Sequence, residues 1–292
     1  SWWYDMFVAK MSSTWARIWS TKAWWTSDEY GNDISIDSGW FLYVVGSLFG
    51  NGYFGSTYLT TSWWYDMFVA KMSNTWVFLR ATKAWWLWFD VWRALTLDTT
   101  WNIYVWWVFA LTWVFWNTTL ISSWLSEQED IYIASLSNTW ARRWATKAWW
   151  TGYDKELYDM EMDTSWNVYA VWYFEDNMYF WSKVLYSSWP VSSYEEAYVA
   201  SISNTWARRW ATKAWWTGVD YAYSVAINSG NKVYVAWNFS DIIRFGTQWF
   251  ITSWWTDIFM WIVSNTWVWN QIETFWWTWY STRPRLWISL SW

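Results

Sequence analysis

Cysteine and histidine are absent from this chain of 292 residues, proline occurs twice and glycine only ten times. Without cysteine there is no disulfide scaffold, and without either residue the usual zinc, haem, Cys-His and Ser-His-Asp chemistries are excluded. Glycine at about half its common share of roughly 7%, and proline far below roughly 5%, exclude a collagen-like chain. A disordered polar chain is excluded by the 55% of hydrophobic residues. Charge is also sparse, with 19 Lys plus Arg against 24 Asp plus Glu. A mildly acidic chain with no basic run lacks the footprint of a nucleic-acid binder. The opening SWWYDMFVAK has neither a basic nor an apolar leader pattern, and it reads as the interior of a longer protein. The lack of cysteine fits secretion and cytosol equally.

What is abundant is aromatic: 44 Trp, 20 Tyr and 16 Phe. Between Asp98 and Glu127 no residue carries a formal charge, and hydropathy alone nominates a membrane span there. The repeat described next argues against a span. The equivalent stretches 40–58 and 166–183 carry Gly, Asn, Glu and Asp, so this is one variant of a strand pair.

The pentapeptide TKAWW begins at Thr21, Thr82, Thr146 and Thr212, with a degraded ETFWW at Glu273. Ahead of each stands a turn-like tetrapeptide ending at Trp15, Trp76, Trp140, Trp206 and Trp267. Ser1–Ser12 and Ser62–Ser73 are identical, as are Ser137–Gly152 and Ser203–Gly218. Such a period marks stacked or radial units, each one supersecondary motif. Within a unit, ISID at 34–37 becomes LTLD, MEMD and VAIN, each followed by a short polar turn and an aromatic or β-branched run. After a variable hairpin comes DMFVAKMS or its equivalent, where Phe7, Ala9 and Met11 alternate with Val8 and Lys10. No segment has helical periodicity. Four antiparallel strands per period predict an all-β fold, a β-propeller of four-stranded blades. The boundaries are a half blade 1–27, blades 28–88, 89–150, 151–216 and 217–278, and a C-terminal strand 279–292. Two arrangements stay open: a closed five-bladed ring with a mixed blade, or part of a longer chain. A Trp-rich outer-membrane barrel fits less well, because barrels give evenly alternating strands.

The stretch 28–76, with Tyr30, Gly31, Ile34, Asp37, Tyr43, Val44, Gly46, Phe54, Gly55, Thr57, Leu59 and Asp66–Lys71, resembles the bacterial SBBP-type β-propeller repeat. The resemblance covers nearly the whole chain. It implies an extracellular or cell-surface propeller without an enzymatic role, and it carries no catalytic residues to transfer. Trp stands where that pattern has Gly: at Trp40, Trp101 and Trp166, at Trp63–Trp64 and Trp254–Trp255, and in the TKAWW pairs. Glycine serves such turns because it reaches positive φ without a Cβ clash. Either the turns are abnormal or the Trp letters stand for another residue.

Asp37, Asp98 and Asp163, with Asn228 fourth, invite a glycosidase or calcium reading, but their recurrence at strand ends is that of structural turn residues. Arg142, Arg143, Lys147, Arg208, Arg209 and Lys213 place charge on the last strand, where it shields an edge. Asp5, Asp66, Asp130 and Asp257 start the third strand and are placed to pair with such cations between blades. No catalytic, cofactor or metal residue is expected. Function is expected on the least repetitive parts: 125–130, 194–196 and the hairpins 48–60, 108–120, 173–187 and 239–251. The expectation is a non-enzymatic extracellular or surface scaffold presenting loops to a surface protein or glycan partner, with no nucleic acid and no membrane span. A carbohydrate-binding lectin is the alternative, and a propeller glycoside hydrolase comes third.

Overall fold

A computed structural model describes residues 4–22, 24–25, 28–61, 65–84, 92–109, 112–115, 118–121, 130–150, 157–174, 177–180, 183–186, 196–203, 208–213, 215–216, 220–239, 242–245, 248–251, 257–263 and 269–274. Those residues form β-strands and turns and no helix. The chain divides into one compact unit of residues 1–121 and 133–145 and another of 122–132 and 146–292.

The repeat becomes a four-stranded sheet with strands in sequence order. The first sheet comprises Glu29–Ile36, Leu42–Leu48, Asp66–Met72 and Phe78–Ala84, all antiparallel neighbours. The second comprises Trp92–Leu97, Ile103–Phe109, Asp130–Leu136 and Arg142–Trp150. The third comprises Leu157–Met162, Val168–Phe174, Glu196–Ile202 and Arg208–Lys213. The fourth comprises Tyr221–Ile227, Val233–Phe239, Asp257–Val263 and Trp269–Thr274. Ahead of them Phe7–Met11 and Arg17–Lys22 pair as a hairpin. The uncharged stretch after Asp98 forms the strands Ile103–Phe109, Thr112–Phe115 and Thr118–Ile121. Among the described residues no helix is long and apolar enough to cross a membrane.

The middle strands explain their own composition. Leu42–Leu48 and Glu196–Ile202 are buried at every residue, because each has a neighbour on both edges and packing on both faces. In the first unit the hairpin lays Met6 and Val8 over Leu42, Val44, Phe68 and Ala70 of the first sheet. In the second unit Tyr169, Val171, Ala197 and Val199 pack against Val225, Val233, Val235 and Trp237.

Two devices tie one repeat to the next. Each first strand carries an irregularity in register, at Gly31/Asp33, Trp92/Ala94, Leu157/Asp159 and Ala222/Ser224. Beside it, Asp33 Oδ1 accepts the Ile34 N–H at 2.8 Å while Oδ2 accepts the Leu95 N–H of the next sheet at 2.7 Å. Asp159 does the same, accepting Met160 N–H at 2.8 Å, Val225 N–H at 2.9 Å and the Ser224 hydroxyl at 2.8 Å. The carboxylate thereby satisfies edge N–H groups that a first strand would otherwise leave unpaired. Second, the Trp pairs that end the fourth strands pair with the following repeat's inserted hairpin: Trp24–Trp25 with Tyr53 and Gly52, Trp149–Trp150 with Tyr179 and Met178, Trp215–Trp216 with Arg244 and Ile243.

The connections between strands one and two, and between three and four, lie at one end of each sheet, and the inserted hairpins lie at the other. Both near-end connections use one construction. The Asp37 N–H donates to Phe41 O and the Trp40 N–H to Asp37 O, a three-residue loop whose last residue is left-handed. Ser12, Ser73 and Ser137 open the same loop, closed by Trp15, Trp76 and Trp140.

Candidate functional site

Asp37 ends the first strand of its sheet, and its carboxylate is committed to the turn. Oδ1 accepts the N–H groups of Gly39 and Phe41, both at 2.9 Å, and Oδ2 accepts the Tyr43 hydroxyl at 3.2 Å. Asp98 holds Thr100, Asn102 and Tyr104 in the same way at 2.9, 2.8 and 3.1 Å. Asp163 holds Ser165, Asn167 and Tyr169 at 2.9, 2.9 and 3.0 Å. Asn228 substitutes for the carboxylate in the fourth repeat: its Oδ1 accepts from Gly230 and Lys232, and its Nδ2 donates to the Tyr234 hydroxyl. Burial pushes the Asp98 carboxyl up, but the bonds donated by Asn102, Thr100 and Tyr104 outweigh it and hold the group below its ordinary value. A general acid needs the opposite shift. The turn role expected for these residues is what the geometry shows.

A cation completes each of three turns. Lys71 Nζ donates to the Tyr43 hydroxyl at 2.6 Å and stands 3.8 Å from Asp37. Arg143 Nη1 reaches the Tyr104 hydroxyl at 2.9 Å, and Arg209 Nη1 reaches that of Tyr169 at 2.9 Å. The charge has one destination but two origins. Lys71 comes from the third strand, where the other repeats have Ser135 and Ser201. Arg143 and Arg209 come from the fourth, where the first repeat has Leu79. Burial lowers the Lys71 ammonium, although Asp37 opposes this, and burial with the neighbouring Asp163 pushes the Tyr169 hydroxyl up to about 12. These arginines do more than shield an edge, since they reach two strands inward.

The acidic starts of the third strands differ from expectation too. Asp5 pairs with Lys22 at 3.2 Å and Asp66 with Lys83 at 2.6 Å, each on the adjacent fourth strand of the same sheet rather than between blades. Facing third and fourth strands bring these positions opposite each other, which the one-dimensional pattern did not display. The side chains of Asp130, Lys147, Arg208, Lys213 and Asp257 lie outside the described residues, as do 122–129, 187–195, Trp63–Trp64, Trp254–Trp255 and 279–292.

One group was missed from the sequence. Where the N-terminal hairpin meets the first sheet, the Tyr4 N–H donates to Asp28 Oδ1 at 2.8 Å and the Glu29 N–H to Tyr4 O at 2.8 Å. The Tyr65 hydroxyl donates to Asp28 Oδ2 at 3.2 Å. Rings of Tyr4, Tyr30, Tyr65 and Phe49 follow one another with centroids 5.5–5.8 Å apart. Glu29 is buried there, and neither carboxylate oxygen has a hydrogen-bond partner among the described residues. Burial, with Asp5 and Asp28 nearby and Lys22 opposing, pushes its carboxyl up to about 8. The available signal was the DEY run at 28–30, an odd place for two acids at the start of a strand. Among the described residues no three acidic side chains gather closely enough to hold a metal ion.

No protein-family model matches the chain, and no curated protein is similar to it.

Proposed function

We propose that the sheets are blades of a β-propeller of the SBBP-type repeat, and that the protein is a non-enzymatic extracellular or cell-surface scaffold whose inserted hairpins bind a surface protein or glycan. The observation that carries this reading is the Asp clasp, which joins first strand to first strand in consecutive repeats, at Asp33 to Leu95 and at Asp159 to Val225. In a radial arrangement the first strands are the innermost, so a bond between them is the contact expected around an axis. The inserted hairpins Asn51–Phe54/Thr57–Thr60, Thr112–Phe115/Thr118–Ile121, Asn177–Phe180/Lys183–Tyr186 and Ile242–Phe245/Gln248–Ile251 differ in sequence while the sheets repeat. Variation concentrated on one rim of a repeated frame is how binding proteins separate recognition from stability.

The test is binding to glycan and surface-protein arrays by the native chain and by a variant whose 49–61 hairpin is exchanged for another repeat's. The scaffold reading expects a defined partner that is lost on exchange and retained in Asp98→Asn. Turnover of aryl glycosides abolished by one carboxylate change, with stability intact, overturns it. A lectin is the second reading, favoured by the exposed Tyr4 and Tyr30 rings beside Asp28, since sugars present apolar faces and hydroxyl donors. In that case Tyr4→Ala removes glycan binding and the hairpin exchange does not.

A further inference from the structure

Among the described residues six other than glycine and Asn231 have left-handed backbone, and all six are tryptophan: Trp15, Trp40, Trp76, Trp101, Trp140 and Trp166, with φ between 61° and 69°. We infer that glycine is the residue the ribosome inserts at these positions. For an L-residue with a Cβ this region is strained, each site shifting the folding equilibrium by about tenfold. An aromatic side chain restores that only if it buries itself well. Trp15 is 83% exposed, Trp40 65% and Trp101 41%. Trp76 stacks on Trp19 at 3.6 Å and Trp140 is buried with the Arg80 guanidinium 5.3 Å from its ring, contacts that can offset strain at those two sites, whereas the Trp15 and Trp40 rings stand largely in solvent. The seventh left-handed residue, Asn231, fills the fourth repeat's copy of the turn that Trp40, Trp101 and Trp166 fill in the others, and asparagine tolerates this region.

The repeats carry a second, independent mark of the same exchange. Gly46 lies where a Cβ would stand 1.9 Å from the Tyr30 carbonyl oxygen, so nothing larger fits without moving backbone. Two other repeats have Trp107 and Trp172 at this position, and the fourth has Trp237, which is buried in the core of its unit. Gly55, with φ +60°, links Phe54 to Thr57 in a two-residue hairpin turn. Phe115 pairs with Thr118 and Phe180 with Lys183, and the sequence has Trp116 and Trp181 at the corresponding place, with Gly246 in the fourth repeat. At these positions the repeats alternate between the smallest residue and the largest, with nothing between. Selection on size does not produce that pattern.

A codon with two readings does. UGA lies one base from the tryptophan codon UGG and one base from the glycine codon GGA. A gene whose UGA codons are read by glycine-charged tRNA gives this sequence when UGA is written as tryptophan. The exchange also sorts the tryptophans into two classes. Trp19, Trp144 and Trp210 share one position on the fourth strands, in extended backbone, and Trp19 and Trp210 pack against the cores of their sheets. These side chains pack without any left-handed backbone, and they stay tryptophan.

The experiment is peptide sequencing by mass spectrometry on the protein from its own cells, read beside its gene. The expected result is glycine, with UGA codons, at 15, 40, 76, 101, 140 and 166, and tryptophan, with UGG codons, at 19, 144 and 210. Tryptophan in the peptides at the left-handed positions, or UGG in the gene there, overturns the inference. A second measurement compares urea unfolding of the chain as written with one carrying Trp40→Gly, Trp101→Gly and Trp166→Gly. The glycine form is expected to gain about tenfold per site in its folding equilibrium, and equal stabilities overturn the backbone argument.

Discussion

Lys22 and Lys83 occupy the same position of the same motif and hold the same kind of partner, yet their surroundings differ. Asp66 is buried and the Lys83 side chain is only 9% exposed, the two groups standing 2.6 Å apart, and the ammonium also donates to the Thr60 carbonyl oxygen. Lys22 and Asp5 are 3.2 Å apart and reach water. Removing one member of a buried pair strands the other charge in low dielectric, whereas an exposed pair is replaced by solvent at little loss. Lys83→Ala is therefore expected to destabilise by about 3–5 kcal/mol and Lys22→Ala by less than about 1 kcal/mol. Urea denaturation of the two variants measures this, and equal losses remove burial as the deciding factor. The same contrast holds for apolar side chains in the duplicated dodecapeptide. Phe7 is 71% exposed and Phe68 fully buried, because Asp66–Met72 has Leu42–Leu48 along one edge and Phe7–Met11 has no strand there among the described residues. Residue identity sets what a side chain can do, and the neighbouring strand decides whether it does so.

At the scale of the strand, the Asp clasp carries a pH signature. Burial pushes the Asp159 carboxyl up to about 6, although the donors Val225, Ser224 and Met160 pull it down. A carboxyl raised on folding contributes stability that is present below its unfolded value near 3.9 and is lost as pH rises through about 6. The unfolding free energy is thus expected to fall between pH 4 and 6 by up to about 3 kcal/mol relative to Asp159→Asn, which cannot titrate. Urea midpoints at several pH values for both proteins test it, and parallel profiles contradict it. The strands and turns that frame this clasp were readable in the sequence, because period, alternation and polar turn residues repeat together. The clasp was not. It joins Asp33 to a backbone N–H in the following repeat, and backbone donors have no letter of their own. Nor did the pattern show that Lys71 replaces Arg143 and Arg209 over the tyrosine, since charge moves between strands that are adjacent in space and distant in the chain. Glu29 stayed hidden for the same reason, being buried by Tyr4 and its neighbours from another hairpin.

For the whole molecule, stability in a repeat array is a sum of repeat terms and nearest-neighbour interfaces. Lys83 belongs to the first repeat and Asp159 joins the third to the fourth, and they share no partner. Lys83→Ala and Asp159→Asn are expected to add to within about 0.5 kcal/mol in a double-mutant cycle, whereas a larger coupling would mean that strain spreads through the array. Repetition has a further consequence for how the chain finds its structure. Ser1–Ser12 and Ser62–Ser73 are identical, so the slot beside Leu42–Leu48 cannot tell Asp66–Met72 from Asp5–Met11 by contact energy. What separates the two is the length of chain to be closed, residues 49–65 in one case and 12–41 in the other, a difference of about 0.5 kcal/mol in loop entropy. During folding the wrong copy can therefore thread into the slot nearly as readily as the right one, and the correct sheet prevails only when the displaced segment finds its own place.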